Sequence, residues 1–250
     1  MKRILLGMLL LCVLPLAASI DEDSAMANAL SGLSLLSHSV ADYRISPVMN
    51  LSGFCTNYYR PFNSPDISIF GLHNAIRLNH LYVGIGNSYL HHADYTRHNP
   101  YLNAHFSVLG LSVGATGHMV YDSVADEDGE CAWYYDLGAA LKSGDYAAEM
   151  KLLRSNSPIQ QVAYSLKGKL GEDLDAAIGF VSQRDEKDYY RVAVSAYLHR
   201  FITLYGSWQN DPNRFGMGLQ VNPGKWSIMY SIRSHTALDP GHAVSLDIYW

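Results

Sequence analysis

Residues 241–250 read Gly-His-Ala-Val-Ser-Leu-Asp-Ile-Tyr-Trp. Val244, Leu246, Ile248 and Trp250 are apolar, while Ala243, Ser245, Asp247 and Tyr249 between them are small, polar or amphipathic. A period of two puts one set on each face of a β-strand. The segment before it repeats the pattern, with Trp226, Ile228, Tyr230 and Ile232 on one face and Ser227, Met229, Ser231 and Arg233 on the other. Between them, residues 237–241 (Ala-Leu-Asp-Pro-Gly) have the composition of a turn.

Working toward the N-terminus, the alternation continues through Phe215/Met217/Leu219/Val221, Ile202/Leu204/Gly206/Trp208, Tyr190/Val192/Val194, Leu174/Ala176/Ile178/Phe180 and Val162/Tyr164/Leu166. Tyr146/Ala148/Met150/Leu152 and Trp133/Tyr135/Leu137/Ala139/Leu141 precede these. The first half is noisier, giving Leu102/Ala104/Phe106/Val108, Leu109/Leu111/Val113, Leu81/Val83/Ile85, a strand near 67–78 and one near 48–59. The links carry turn residues, for example Asn63-Ser64-Pro65-Asp66, Ser143-Gly144-Asp145 and Asn222-Pro223-Gly224. The pattern predicts about fourteen strands, many long enough for a tilted crossing of a hydrocarbon layer.

A β-sandwich would show similar alternation, but it needs charged residues along its second face for solubility. Here only 16% of the residues are charged, against roughly 25% in an average soluble domain. The second face is rich in Gly, Ser, Ala, Asn and Tyr instead. A closed barrel turns the apolar row to lipid and the modest polar row to a lumen, and closure removes edges that hydrocarbon would not tolerate. Trp133, Trp208, Trp226 and Trp250 fall at or near strand ends, where aromatic girdles sit. The expected fold is all-β: a transmembrane antiparallel up-and-down barrel with a short plug-like N-terminal segment. A formal net charge of -5 gives no footprint for nucleic acid.

Met1-Lys2-Arg3, an apolar stretch from Ile4 to Leu16 and the small residues Ala17-Ala18-Ser19 describe a secretory signal peptide. Residues 1–19 are therefore expected to be cleaved, residues 20–47 to form a periplasmic or plug segment, and residues 48–250 to form the barrel. Beyond Ile20 no run of 18 apolar residues offers a membrane-spanning helix. The mature chain keeps Cys55 and Cys131, which form neither a disulfide framework nor a metal spacing.

The closing stretch His242–Trp250 resembles the last strand of bacterial outer-membrane proteins, whose terminal aromatic is read by the barrel-assembly machinery. That resemblance implies the outer membrane of a Gram-negative bacterium, and an assembly signal in Val244, Leu246, Ile248 and Trp250. Deleting Trp250 is then expected to lower the yield of folded barrel, measured as the fraction of protein whose gel mobility shifts on boiling. Unchanged yield would remove that role. A narrower likeness comes from Tyr230–Leu246, similar to the last hairpin of FadL-like barrels of the PorV/PorQ type, and from Asp23–Leu33, similar to that group's acidic, small-residue stretch. The Pro of that group's Asn-Pro-Ala-Gly is missing, and Asp239-Pro240-Gly241 stands where Leu-Gly is usual. The resemblance implies passage or binding of small molecules, hydrophobic ones included. The alternative it carries is a non-transporting scaffold that binds exported proteins in a secretion apparatus. The partners implied are the lipid bilayer, the assembly machinery, and either a small hydrophobic ligand or an exported protein.

With the apolar rows toward lipid, the opposite rows nominate Asp136, Lys142, Glu149, Lys151, Lys167, Asp175, Arg191, Arg233 and Asp247 as lumen residues. They carry both signs on neighbouring strands, so mutual pairing that fills a narrow lumen is favoured over a solute path. No cofactor or metal is expected: His91, His92 and His98 are read as solvated residues of one loop. Catalysis is not expected either. His38-Ser39 and Ser234-His235 bring a base beside a hydroxyl, but chance adjacency suffices with 11 His in the chain.

Overall fold

The computed structural model describes residues 24–125, 128–157, 160–184 and 186–250. The expected signal peptide, residues 1–19, lies outside the described residues. Fourteen strands follow one another: β1 (Gly53–Arg60), β2 (Ser68–Leu78), β3 (Leu81–His92), β4 (Tyr95–Val108), β5 (Leu111–Val124), β6 (Glu130–Ser143) and β7 (Tyr146–Leu153), then β8 (Gln161–Gly171), β9 (Leu174–Gln183), β10 (Tyr189–His199), β11 (Ile202–Gln209), β12 (Arg214–Val221), β13 (Trp226–Arg233) and β14 (Gly241–Tyr249). Each pairs antiparallel with its sequence neighbours, and β1 pairs with β14 from Gly53↔Tyr249 to Arg60↔His242, so the sheet closes. Links at the end where β1 begins and β14 finishes hold two to four residues, and those at the other end two to seven. These are called the terminal end and the loop end below.

The wall is inverted relative to a water-soluble domain. Outward positions such as Leu72, Ile85 and Leu102 are each 59% exposed, whereas inward Asn103, Thr116 and Ser227 are 0% exposed. Apolar surface turned outward all round is stable only against an apolar solvent. Trp133 and Trp208 lie toward the loop end and Trp226 and Trp250 at the terminal end, all exposed, marking two belts. The noisy first half of the sequence has a structural reason. β4 starts at Tyr95 rather than at Leu102, and its outward Thr96, His98 and Pro100 hide the strand period because they do not continue the row of large aliphatic residues.

The lumen is filled by the segment before β1. From Ser24 to Met49 every residue except Leu35 and His38 is buried. Helix α1 (Ala25–Ala29) starts where the Ser24 hydroxyl accepts the Ala27 N–H at 2.8 Å. That bond satisfies one of the unpaired donors of the first turn. A 3₁₀ turn over Val40–Arg44 is capped in the same way by Ser39. α1 packs on β12 and β13, and there Gly216 makes room for it. A Cβ on Gly216 would stand 2.4 Å from the Asn28 carbonyl oxygen and 2.7 Å from that of Ala29. Gly216→Ala is expected to cost about 1–3 kcal/mol by overpacking, read from unfolding in detergent. Gly117→Ala, where a Cβ meets nothing within 4 Å, should cost nothing. Equal costs at the two sites would show that the plug does not bear on the wall.

Candidate functional site

The inward rows and the plug together form the site. Glu149 on β7 is buried and accepts hydroxyls from two places on the plug, Ser34 at 2.6 Å and Ser46. Ser165 of β8 adds a third donor at 3.2 Å. Lys151, two residues along the same strand, is 3.4 Å from the Glu149 carboxylate and donates to the Ser34 oxygen at 2.8 Å. On the far wall Asp247 of β14 accepts the Ser39 hydroxyl at 3.0 Å and the Val40 N–H at 2.8 Å. A carboxylate there meets the donor end of a helical turn. Two carboxylates on opposite walls thus tie the plug in place.

The other lumen candidates pair within the wall. Asp136 accepts from the His118 imidazole at 3.0 Å and from the Arg154 N–H at 2.6 Å. Lys167 and Asp175, on adjacent strands, stand 2.8 Å apart. Arg191 and Arg233 both reach the Gln209 side-chain oxygen, at 3.3 and 3.5 Å. The Arg191 guanidinium also lies 4.9 Å from the centre of the Tyr189 ring. Lys142 stands next to last in β6 at the terminal end and is exposed. It lines a gap of about 310 Å³ between the plug and β5–β9, together with Lys167, Asp175 and His38. Burial and the nearby Lys167 push the His38 imidazole down to about 4, so it is neutral at pH 7.

Several site residues escape sequence reasoning. The plug serines Ser34, Ser39 and Ser46 are recognised only through their partners far away in the chain. Their one local signal is the recurrence of Ser at 31, 34, 37, 39 and 46 in a segment without charge until Asp42. His73, His105 and His118 point inward and are buried. His73 sits between Asn57 at 2.8 Å and Tyr101 at 3.1 Å, and His118 stacks on Tyr134 with ring centres 4.4 Å apart. The placing of His91, His92 and His98 in one loop is corrected. They belong to β3 and β4, with His92 inward and the other two outward. Among the described residues no group of three His, Cys, Asp or Glu is placed to hold a metal.

The loop end differs in chemistry. Register aligns Tyr59, Ile69 and Leu90 in one inward row across β1, β2 and β3. They belong to an apolar cluster that includes Met26, Leu30 and Leu33 of the plug, and Ile67 and Tyr95 pack against it. Above the plug the lumen wall is therefore apolar along β1–β3, while Arg97 with Asp122, Arg191 and Arg233 face inward at the loop end of other strands.

No family model matches the sequence, and no curated protein matches it either. Solved structures do resemble the fold. The toluene transporter TodX of Pseudomonas putida superposes with a TM-score of 0.63 at 9% identity, covering 91% of this chain and 98% of that one. CymD, a monoaromatic hydrocarbon channel, gives 0.59 at 9% identity over 91% and 97%. The outer membrane protein Omp33 of Acinetobacter baumannii gives 0.57 at 9% identity over 80% and 99%. At such identities the likeness is one of architecture: the chain shares a closed β-barrel with these structures.

Proposed function

We propose that the protein resides in the outer membrane of a Gram-negative bacterium and passes or binds small hydrophobic molecules. The observation that carries this reading is the row Tyr59–Ile69–Leu90, which lies at the loop end and shares one buried apolar cluster with Met26 and Leu30 of the plug. A lumen serving hydrophilic solutes would be polar and wet all round its mouth, whereas here the β1–β3 side offers an apolar surface that leads to the plug. The gap beside β5–β9 is the corresponding way past the plug. The likeness to a toluene transporter and a monoaromatic hydrocarbon channel supports the same substrate class. A scaffold role of the PorV type draws no support from these neighbours.

The test is uptake of radiolabelled toluene by cells that carry the protein, against cells that lack it. Uptake should rise with the wild type and fall back with Leu90→Asp, which puts a charge into the apolar row. Equal uptake in all three would end the transport reading. So would a barrel that never conducts and that co-purifies with an exported protein.

A further inference from the structure

Apart from His199 beside the bulge at the terminal end of β10, where it pairs with outward Ile202, the outer wall carries its strand-borne cationic and imidazole groups at one end and on one quarter of the circumference. Register sets His242 of β14 beside Arg60 of β1. On the following strands Ser68 faces His91, and His91 faces Thr96. All have outward parity and form one row at the loop end across β14, β1, β2, β3 and β4. One step toward mid-wall the same strands, with β13, give Tyr230, Val244, Tyr58, Phe70, Tyr89 and His98, again in register. Elsewhere at the loop end the outward residues are Tyr121, Trp133, Phe180, Tyr190, Trp208 and Phe215. At the terminal end Leu78, Leu81, Phe106, Leu111, Leu141 and Trp226 are apolar or aromatic.

The row is built to donate hydrogen bonds. The Tyr230 hydroxyl lies 2.7 Å from His242 Nδ1, and the Tyr89 hydroxyl 3.3 Å from His91 Nδ1. A phenol donating to Nδ1 leaves the proton of a neutral imidazole on Nε2, where it faces outward as a donor. Arg60 uses Nε on the Ser64 carbonyl at 2.8 Å, which fixes the guanidinium and leaves its terminal nitrogens for an outside acceptor. An aromatic row marks the boundary between acyl chains and headgroups, so the donors just beyond it stand at headgroup depth. The carboxylates nearby, Asp66, Asp94 and Asp239, belong to the links beyond the strand ends.

We propose that this quarter of the outer wall, with Arg60, His91 and His242 at its centre, binds the phosphorylated headgroup of a lipid in the leaflet at the loop end. This rests on the membrane placement proposed above. A phosphate supplies the acceptor oxygens and negative charge that a guanidinium and two imidazole N–H groups match. The flanking Tyr58, Phe70 and Tyr89 rings would lie along the first part of the acyl chains.

The test uses the detergent-purified full chain and, as probe, bisphosphorylated lipid A, with its dephosphorylated form and inorganic phosphate as comparisons. Retention is read by native mass spectrometry. Lipid A is expected to bind more tightly than its dephosphorylated form. Arg60→Ala should weaken it about fivefold, and the triple variant Arg60→Ala/His91→Ala/His242→Ala further, while Lys187→Ala in a loop away from the row leaves it unchanged. Equal retention of the dephosphorylated lipid, wild-type affinity in the triple variant, or equal competition by millimolar phosphate would each overturn the proposal. The boiling-dependent gel shift of each sample reports the barrel. Its absence in the wild type would sink the membrane placement and this proposal with it, whereas the outcomes above sink this proposal alone.

Discussion

Glu149→Ala is expected to cost the folded barrel about 3–5 kcal/mol and to make it leakier than the wild type. The carboxylate is buried, and so is Lys151 beside it. Removing one partner leaves an ammonium with reduced compensation in a low-dielectric interior. The Ser34 and Ser46 hydroxyls lose their acceptor at the same time, and each unpaired buried hydroxyl costs about 1–3 kcal/mol. The plug keeps its tie to Asp247 on the opposite wall but loses the one on β7, so the gap beside β5–β9 should widen. Planar-bilayer conductance and unfolding in detergent measure the two effects. The double variant Glu149→Leu/Lys151→Met separates them, since an apolar pair of similar volume replaces a buried ion pair at little cost. It should recover much of the stability and stay leaky, because the serines remain without an acceptor. Wild-type conductance in both variants would show that the plug does not depend on Glu149.

The legibility of this chain divides along its two faces. Outward rows such as Trp226/Ile228/Tyr230/Ile232 declare themselves because lipid demands a uniform apolar chemistry at every second residue. Strand number and wall orientation follow from those rows alone. Inward rows obey a looser rule. They touch the plug, and any small or polar residue that matches its particular plug neighbour is acceptable there, so their chemistry shows no period. Parity places Glu149 and Asp247 on the inward face. Parity says nothing of Ser34, Ser46 or Ser39, which lie 115, 103 and 208 residues from the carboxylates they bond. The failure at His91 and His98 has the opposite cause. At the height of the headgroups the lipid demand changes, polar outward residues become acceptable, and a continuing strand reads as a loop.

Ile178→Arg tests the geometry on which the membrane reading stands. Ile178 is outward and 54% exposed near the middle of β9, opposite Val192 of β10 and Leu166 of β8. In a bilayer an arginine at that depth should cost about 2–4 kcal/mol, falling to about 0–1 kcal/mol near the interface. Leu198, also outward and 63% exposed, stands at the terminal end of β10, so Leu198→Arg should fall in the lower range. The contrast should appear in unfolding from lipid vesicles and shrink in short-chain detergent, where water and headgroups reach the whole wall. Exposure alone predicts almost no contrast, because a residue 54% exposed to water accepts a charge about as readily as one 63% exposed. A depth profile from the middle of β9 to the end of β10 therefore separates a wall bathed in acyl chains from one bathed in water. Equal and small costs at both positions in vesicles would mean that the apolar rows do not face lipid.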